Sequence, residues 1–408
     1  MNGKIMLMIK MAFRNLLRHK RRSLFTGLTI LGGFVLSSLS FGIAEGTYDA
    51  IINAFTKSST GDVQLHKKGY LDSPSIYKTL NNPEKLEAEI IKLPQISSVA
   101  PRVYFPSLIF LKNKTTAGQI IGINPIKEKK TTTIENQILR GNFLSNKALN
   151  EVMLSSTMVK ILNADVGKEI SLVTQAADGS MANDNFKIKA ILKDSTENSK
   201  NIFMHIKSSQ EFLYLGTRIH ELAVTLTDSG KARKSADLIN LLIEDKSVKA
   251  EPWQVVKKDF HRAMKADKKG NTISIIVIMI IVAIGVLNTV LMSVLERTRE
   301  FGVLKALGTK PFQIFKLIVL ETSFLTLASI GIGLIFAIGL NYYFVVYGIK
   351  IPQPITYGGI IFDKIISTLE FKIFLIPALI TFFTALTVSV FPAIRAAKIT
   401  PIKAMKDF

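Results

Sequence analysis

Glu296, Arg297, Arg299 and Glu300 crowd together directly after a run from Gly270 to Leu295 that holds no charge. Glu296 and Glu300 lie four apart around two arginines, so a helix continuing through them can pair opposite charges along its sides. Other residues with chemical potential are sparse. The chain has no cysteine, which excludes disulfides, thiolate metal sites and thiol catalysis. The five histidines (19, 66, 205, 220 and 261) have no ligand-like spacing, so no metal site is expected. Glu84, Glu87 and Glu89 read as a solvated helix face rather than an acid–base pair. Val166-Gly167-Lys168-Glu169 lacks the first glycine and the hydroxyl of G-x-x-x-x-G-K-[ST], so it would not cradle ATP phosphates. H-E-x-x-H and G-x-S-x-G are absent too. The expectation is a chain that is not an enzyme.

The elements that position these residues are set by the apolar runs. Hydrophobic residues make up 48% of the 408 residues. Uncharged stretches occur at Ser23–Ala44, Gly270–Leu295, Thr322–Ile349 and Ile373–Ile394. Each is at least about 20 residues long, enough at about 1.5 Å per residue to cross a hydrocarbon core of roughly 30 Å. The sequence therefore predicts a membrane protein: four transmembrane α-helices (23–45, 270–295, 317–347 and 373–394) with a large α+β extracytoplasmic domain, 46–269, between spans 1 and 2. An elbow at 296–316 and an outer loop at 348–372 join the later spans, and the ends are 1–22 and 395–408. The first run could alternatively be a signal peptide, since Lys20, Arg21 and Arg22 precede it and Ser38-Leu39-Ser40 is a weak cleavage-like triplet. Removed signals have apolar cores of roughly 7–15 residues, and this run is longer, which favours a span.

The net charge of +21 gathers beside these runs, with about +7 before residue 23, so membrane lipids are the expected partner and nucleic acid is not. The same basic residues place the N-terminus in the cytoplasm, and four spans place 296–316 and the C-terminus there as well. Lys10, Arg14 and Arg18 share one helical face, with Met8, Ile9, Phe13, Leu16 and Leu17 on the others. Both an amphipathic surface helix and a solvated stop-transfer flank fit that pattern.

Within 46–269, Asn82 precedes Pro83 and Glu84 as the cap of a helix. Residues 98–111 (SVAPRVYFPSLIFL) read as a strand, and 169–192 as a hairpin turning at Asp178-Gly179. Residues 221–228 (ELAVTLTD) read as another strand, followed by a helix capped at Ser229 with Ala232, Ala236, Ile239 and Leu242 inward. Two small subdomains are expected. In the third span Ser329, Gly333 and Ala337 lie four apart and allow close helix contact, within the chain or with a second subunit. Asn288 in the second span is expected to make an interhelical hydrogen bond.

In the elbow, Phe301 to Leu307 form a short helix with Val303, Leu304 and Leu307 apolar, Gly308 ends it, and Thr309 caps the next helix before Pro311. From physics alone this is either a charged stop-transfer loop lying on lipid or a docking helix set in a partner's groove.

The stretch ERTREFGVLKALG resembles the cytoplasmic coupling segment of the FtsX/MacB-type ABC transporter permeases, the mechanotransmission group. Glu296, Arg297, Thr298, Glu300 and Gly302 match E-R-T-x-E-I-G with Phe301 in place of isoleucine, and Lys305, Ala306, Leu307 and Gly308 match K-A-L-G. Near the C-terminus, Pro392, Arg395, Ala396, Pro401 and Ala404 match the family ending, with Met405 replacing leucine. RNLLRHKRRS (14–23) is similar to the family's approach to its first span. Trp253 in EPWQVVKKDFHRAM (251–264) looks like the approach to span 2 in the lipoprotein-releasing LolC/LolE permeases. The resemblance implies a bacterial inner-membrane subunit with a MacB-like periplasmic core domain and an elbow that receives ATPase movement. It implies a separate LolD-like ABC ATPase that binds ATP and Mg, while this chain carries no cofactor. It also implies a second permease subunit (homo- or heterodimer), acylated lipoprotein as substrate, and a periplasmic lipoprotein carrier. The carrier would meet a hairpin, here Ala177-Asp178-Gly179-Ser180, which lacks the prolines usual in that hook. MacB-like export of peptides or drugs through an adaptor and duct, and non-transporting control of cell-wall hydrolases, are the rival roles.

Overall fold

A computed structural model of the chain describes residues 11, 14, 20–194, 199–357 and 360–400. Residues 8–10, 13 and 16–18 of the expected amphipathic segment, and Pro401, Ala404 and Met405, lie outside the described residues. The chain divides into two compact units, Met1–Tyr48 with Lys265–Pro352 and Lys364–Phe408, and Asp49–Met264 with Gln353–Asp363.

The first unit is built on four helices long and apolar enough to cross a membrane. They are Lys20–Phe55, Lys258–Glu296, Pro311–Val346 and Lys372–Lys398. The first two outrun their apolar stretches because no proline interrupts 45–55 or 258–269, and helical hydrogen bonding does not stop where polarity begins. Val282, Val286, Val290 and Val294 recur every fourth residue and are buried with Ile30, Ile314, Ile318, Ala385, Ala393 and Ala396. Small residues bring the first helix close to its neighbours. A Cβ on Gly33 would stand 2.0 Å from Val282 Cγ2, and one on Gly285 would stand 2.6 Å from Thr29 Cγ2. Glu45 pairs with Lys268 at 3.2 Å and Lys372 at 3.0 Å, tying the first helix to the second and to the start of the fourth. Ile349–Tyr357 and Ile360–Ile365 form a separate two-stranded sheet, β11–β12.

The second unit is a mixed α+β domain on one ten-stranded sheet. In chain order its strands are β1 (Val63–Lys67), β2 (Ile96–Leu111), β3 (Lys114–Ile123), β4 (Ile138–Gly141), β5 (Glu151–Ser155), β6 (Glu169–Gln175), β7 (Met181–Leu192), β8 (Asn201–His205), β9 (Glu221–Leu226) and β10 (Val248–Pro252). The path β10-β1-β9-β2-β3-β8-β5-β7-β4 is continuous, and β6 pairs with both β2 and β7. The expected two subdomains are therefore not separate sheets: the long β2 supplies an edge to β9, β3 and β6 at once.

Local details correct the sequence reading at three places. Asn82 has a left-handed backbone and makes no side-chain cap bond ahead of Pro83–Ile90. Asp228, not Ser229, caps the turn before Ala232–Leu242, by accepting from Gly230 N–H. Leu242 is 50% exposed, while Ala232, Ala236 and Ile239 are buried.

Candidate functional site

The elbow between the second and third long helices begins at Arg297, whose side chain is 7% exposed. Its Nε donates to Glu300 Oε2 at 3.1 Å and its Nη1 to Glu321 Oε2 at 2.8 Å. The guanidinium also lies over the Phe301 ring, 5.0 Å from its centroid. The expected pairing of charges along one helix is thus only half of the arrangement, because Arg297 also ties the elbow to the third long helix. Glu296 and Arg299 stay at the surface.

The elbow helix runs Thr298–Ala306, starting before Phe301 because Thr298 Oγ1 back-bonds to Val294 and Leu295 carbonyls and keeps the turn closed. Gly308 ends it with φ +91°, a conformation that a side chain would strain, while Thr309 N–H donates to Leu304 O at 3.0 Å. Lys310, not Thr309, sits at the cap of the following helix, where Gln313 Oε1 accepts from its N–H at 2.9 Å.

Residues expected to form one apolar tip divide between two faces. Phe301 and Gly302 are buried, and Leu304, like Ile399, packs against the helix core. Lys305 Nζ donates to the carbonyls of Ala397 and Ile399 at 2.6 and 2.7 Å, satisfying carbonyls at the end of the fourth long helix. Val303 and Leu307 face outward, 48% and 80% exposed, with Ala306 and Gly308 exposed beside them. Phe312 adds a 63% exposed ring, stacked on Phe315 and covered by Lys316 Nζ at 4.8 Å. Sequence reading missed Phe312, although its place just after Pro311 in the first turn of the next helix was a usable signal. The chemistry of this site is mechanical: a braced helix with an outward apolar face.

The other predicted residues are placed as follows. In the hairpin, Ala176 N–H donates to Ser180 O at 2.8 Å, Asp178 Oδ1 accepts from Ser180 N–H at 2.9 Å, and Gly179 has φ +88°. Ala177 N–H donates to Leu213 O at 3.0 Å, so the turn is tight and fastened to its domain rather than extended as an arm. Ser329, Gly333 and Ala337 are buried against the first helix: a Cβ on Gly333 would meet Phe34 Cδ1 at 2.9 Å, and Ala337 clusters with Phe34 and Val35. Asn288 corrects its expectation. It is exposed on the second long helix, on the face of Ile281, Ile284, Met292 and Leu295, and bonds no other described helix. The fourfold spacing of Val282 to Val294 claims the inner face and turns Asn288 away from it.

Residues 23–240 match the MacB-like periplasmic core domain, just over half of the chain, and residues 272–401 match the FtsX-like permease C-terminal family. The chain belongs to the FtsX/MacB family of permeases. Among curated relatives, the macrolide export ATP-binding/permease protein MacB 2 of Aeromonas hydrophila is 21% identical over 81% of this chain and 52% of its own length. The lipoprotein-releasing system transmembrane protein LolE of Haemophilus influenzae is 22% identical over 81% of this chain and 82% of its own length. This permease spans 52–60% of the length of the first macrolide-export relatives it matches. The crystal structure of the periplasmic region of MacB from Actinobacillus actinomycetemcomitans is similar at a TM-score of 0.38 and 16% identity, over 52% of this chain and 98% of that one. The outward elbow face falls within the FtsX-like match, and strands β1 to β9 of the ten-stranded sheet fall within the MacB-like one, with β10 just beyond it.

Proposed function

We propose that this permease subunit extracts acylated lipoproteins from the outer leaflet of a bacterial inner membrane, powered by ATP and Mg bound in a partner ABC ATPase of the LolD type. Both termini face the cytoplasm. The ATPase grips Val303, Ala306, Leu307 and Phe312, and its movement passes through the elbow into the spans and on to the α+β domain. The observation that carries this reading is the division of the elbow into two faces. An apolar tip that is 80% exposed at Leu307 needs a covering partner, and the Arg297–Glu321 and Lys305–Ile399 links make the tip stiff enough to transmit force.

Pairing with a second permease subunit is supported by Asn288. A polar amide on the apolar outer face of a spanning helix is costly in hydrocarbon, and a neighbouring helix relieves it. The acyl chains are held on apolar faces of the first two spans. The tight turn at Ala177–Ser180 gives this subunit little to recruit a lipoprotein carrier with. A second reading is export of peptides or drugs through an adaptor and outer-membrane duct. It is favoured by a macrolide-export relative from Campylobacter jejuni that is 22% identical over 97% of this chain.

The test is reconstitution of the subunit with its co-purifying ATPase and any second permease, in vesicles carrying a triacylated lipoprotein. ATP-dependent release into solution, lost when the ATPase is inactivated, is the expected result. ATPase activity stimulated by peptides or drugs without lipoprotein release moves the assignment to export, and neither response points to control of cell-wall hydrolases.

A further inference from the structure

The unit Asp49–Met264 holds a half-open cavity of about 340 Å³ that no step of the transport reading uses. Gln64, His66, Tyr70, Arg102, Tyr104 and Glu221 are on its wall. The volume is at the lower end of the range of small-molecule sites. Three charges meet there out of water. Arg102 Nη2 and Nε donate to Glu128 at 2.6 and 3.3 Å, and Arg102 Nη1 donates to Glu221 Oε1 at 2.9 Å. All three side chains are at most 4% exposed. One guanidinium thus serves two carboxylates. Glu128 also accepts from Thr132 Oγ1 at 3.0 Å, whereas Glu221 shares its Oε1 between Arg102 and the Tyr104 hydroxyl, at 3.2 Å.

The imidazole beside Glu221 has a fixed tautomer. Gln64 Nε2 donates to the Thr60 carbonyl at 2.7 Å, which turns Gln64 Oε1 toward His66 Nε2 at 3.0 Å. An amide oxygen only accepts, so His66 Nε2 carries the proton. Burial, reinforced by His220, pulls His66 down to about 4, so the ring is neutral at ordinary pH. His66 Nδ1 is then a bare acceptor: it is buried, on a residue 2% exposed, and has no hydrogen-bond partner. Glu221 Oε2 stands 3.8 Å from His66 Nε2, whose proton is already given to Gln64. Native interiors rarely leave such acceptors unused. His66 Nδ1 is sealed from the cavity, but Glu221 Oε2, on a wall residue, receives no hydrogen bond and calls for a positively charged donor.

We propose that this cavity binds a small organic cation, a protonated amine that donates N–H to Glu221 Oε2, the carboxylate oxygen that neither Arg102 nor Tyr104 engages. Other groups facing Glu221 leave that role open. Arg102 is committed to the two carboxylates, and Tyr104 donates to Glu221 Oε1. His220 Nδ1 accepts from Tyr104 N–H, so its Nε2–H goes to Ile76 O. Tyr70 is stacked between the His66 and His220 rings, and Lys257, also on the wall, has a partner of its own. Ser58 and Thr60, just after the first long helix, and Val256 and Lys257, just before the second, also line the cavity. An amine there would touch both segments that connect this unit to the spanning helices.

The experiment uses the full chain in detergent and its single tryptophan, Trp253, which opens the short helix ending at the cavity-lining Val256. Trp253 fluorescence is titrated with n-butylamine, n-butanol and butyrate at millimolar concentrations. A saturable response to butylamine, with the alcohol and the carboxylate at least about tenfold weaker, is expected. The amine response should strengthen as pH rises through 7, where burial has placed the Glu221 proton, and should fall at least about tenfold in Glu221→Gln. Equal responses to all three compounds would overturn the proposal, as would no response to any amine, which would mean a cavity filled by water. A folded Glu221→Gln chain that binds butylamine unchanged would also overturn it. Should that variant fail to fold, the amine–alcohol comparison on the unaltered chain still decides.

Discussion

Lys305 and Ile399 are 94 residues apart in sequence, yet the Lys305 ammonium donates to the Ile399 carbonyl at 2.7 Å. Together with the bond to Ala397, this fastens the elbow helix to the end of the fourth long helix. Hydrogen bonds from charged groups are worth about 1.5–3 kcal/mol, so Lys305→Met should lower the stability of the helical unit by roughly that amount. Cargo release per ATP hydrolysed should fall as well. Thermal unfolding of the purified chain and release assays on the reconstituted complex measure the two effects; a variant matching the parent in both would show that the fastening is dispensable.

The two faces of the elbow make a contrast between neighbours. Leu307→Asp and Phe312→Asp change residues that are 80% and 63% exposed, so insertion and unfolding temperature should hold while co-purification of the ATPase is lost. Leu304→Asp places a charge among Phe301, Ile314 and Ala393, and should destabilise the unit by about 3 kcal/mol or more. If Leu304→Asp is as stable as Leu307→Asp, the division of faces is wrong.

Asn288 offers a clean probe of subunit pairing because the chain has no cysteine. Asn288→Cys introduces the sole thiol, on the outward face of the second long helix. Mild oxidation of membranes should yield a crosslinked pair when two copies of this chain associate, and a disulfide to a second permease carrying a matched cysteine when the pair is mixed. Cysteines at buried Val286 or Val290 should not crosslink. Equal yields at all three positions would remove the face from consideration.

Stability of the α+β domain should respond to pH through two opposed groups. Glu221, pushed up to about 7 by burial against the pull of Arg102, holds its proton more tightly when folded. Its contribution is complete below the ordinary carboxylate range and is lost as pH rises through 7. His66, drawn down to about 4, behaves in the reverse sense: its contribution is complete above 6.5 and is lost as pH falls toward 4. His205 and His220, lowered mainly by burial, act with His66. Between about 4.5 and 6.5 the effects offset, and above 6.5 the Glu221 loss stands alone. Glu221→Gln should therefore abolish the fall in unfolding temperature near pH 7 and leave a rise with pH below 6.5. A parent chain whose unfolding temperature climbs steadily from pH 6 to 8 would contradict the placement of the Glu221 proton.

The sequence by itself determined the spanning helices, the intervening α+β domain and the family. Those properties are written in local patterns: long uncharged runs, a strand-like stretch at 98–111, the turn at Asp178-Gly179 and the motif from Glu296 to Gly308. Each follows from hydrogen-bonding periodicity, turn chemistry or transfer free energy acting within a few tens of residues. Where helices end was less legible, since helical bonding continues past the apolar run until a breaker stops it, as at Lys258–Lys269.

Only the tertiary structure decided which side of a helix each residue faces, because that depends on neighbours distant in sequence. Leu304 and Leu307 are chemically alike, yet one packs against the buried helix core and the other meets solvent. Asn288 turns outward because valines on the same helix had already filled the inner face. Arg102 and Glu221 hinted at their roles by being charges in otherwise apolar strands, but their pairing required β2 and β9 to lie side by side in register. Sequence gives the periodicity of a face; the long-range contacts that bury one face and expose another exist only once the chain has closed on itself.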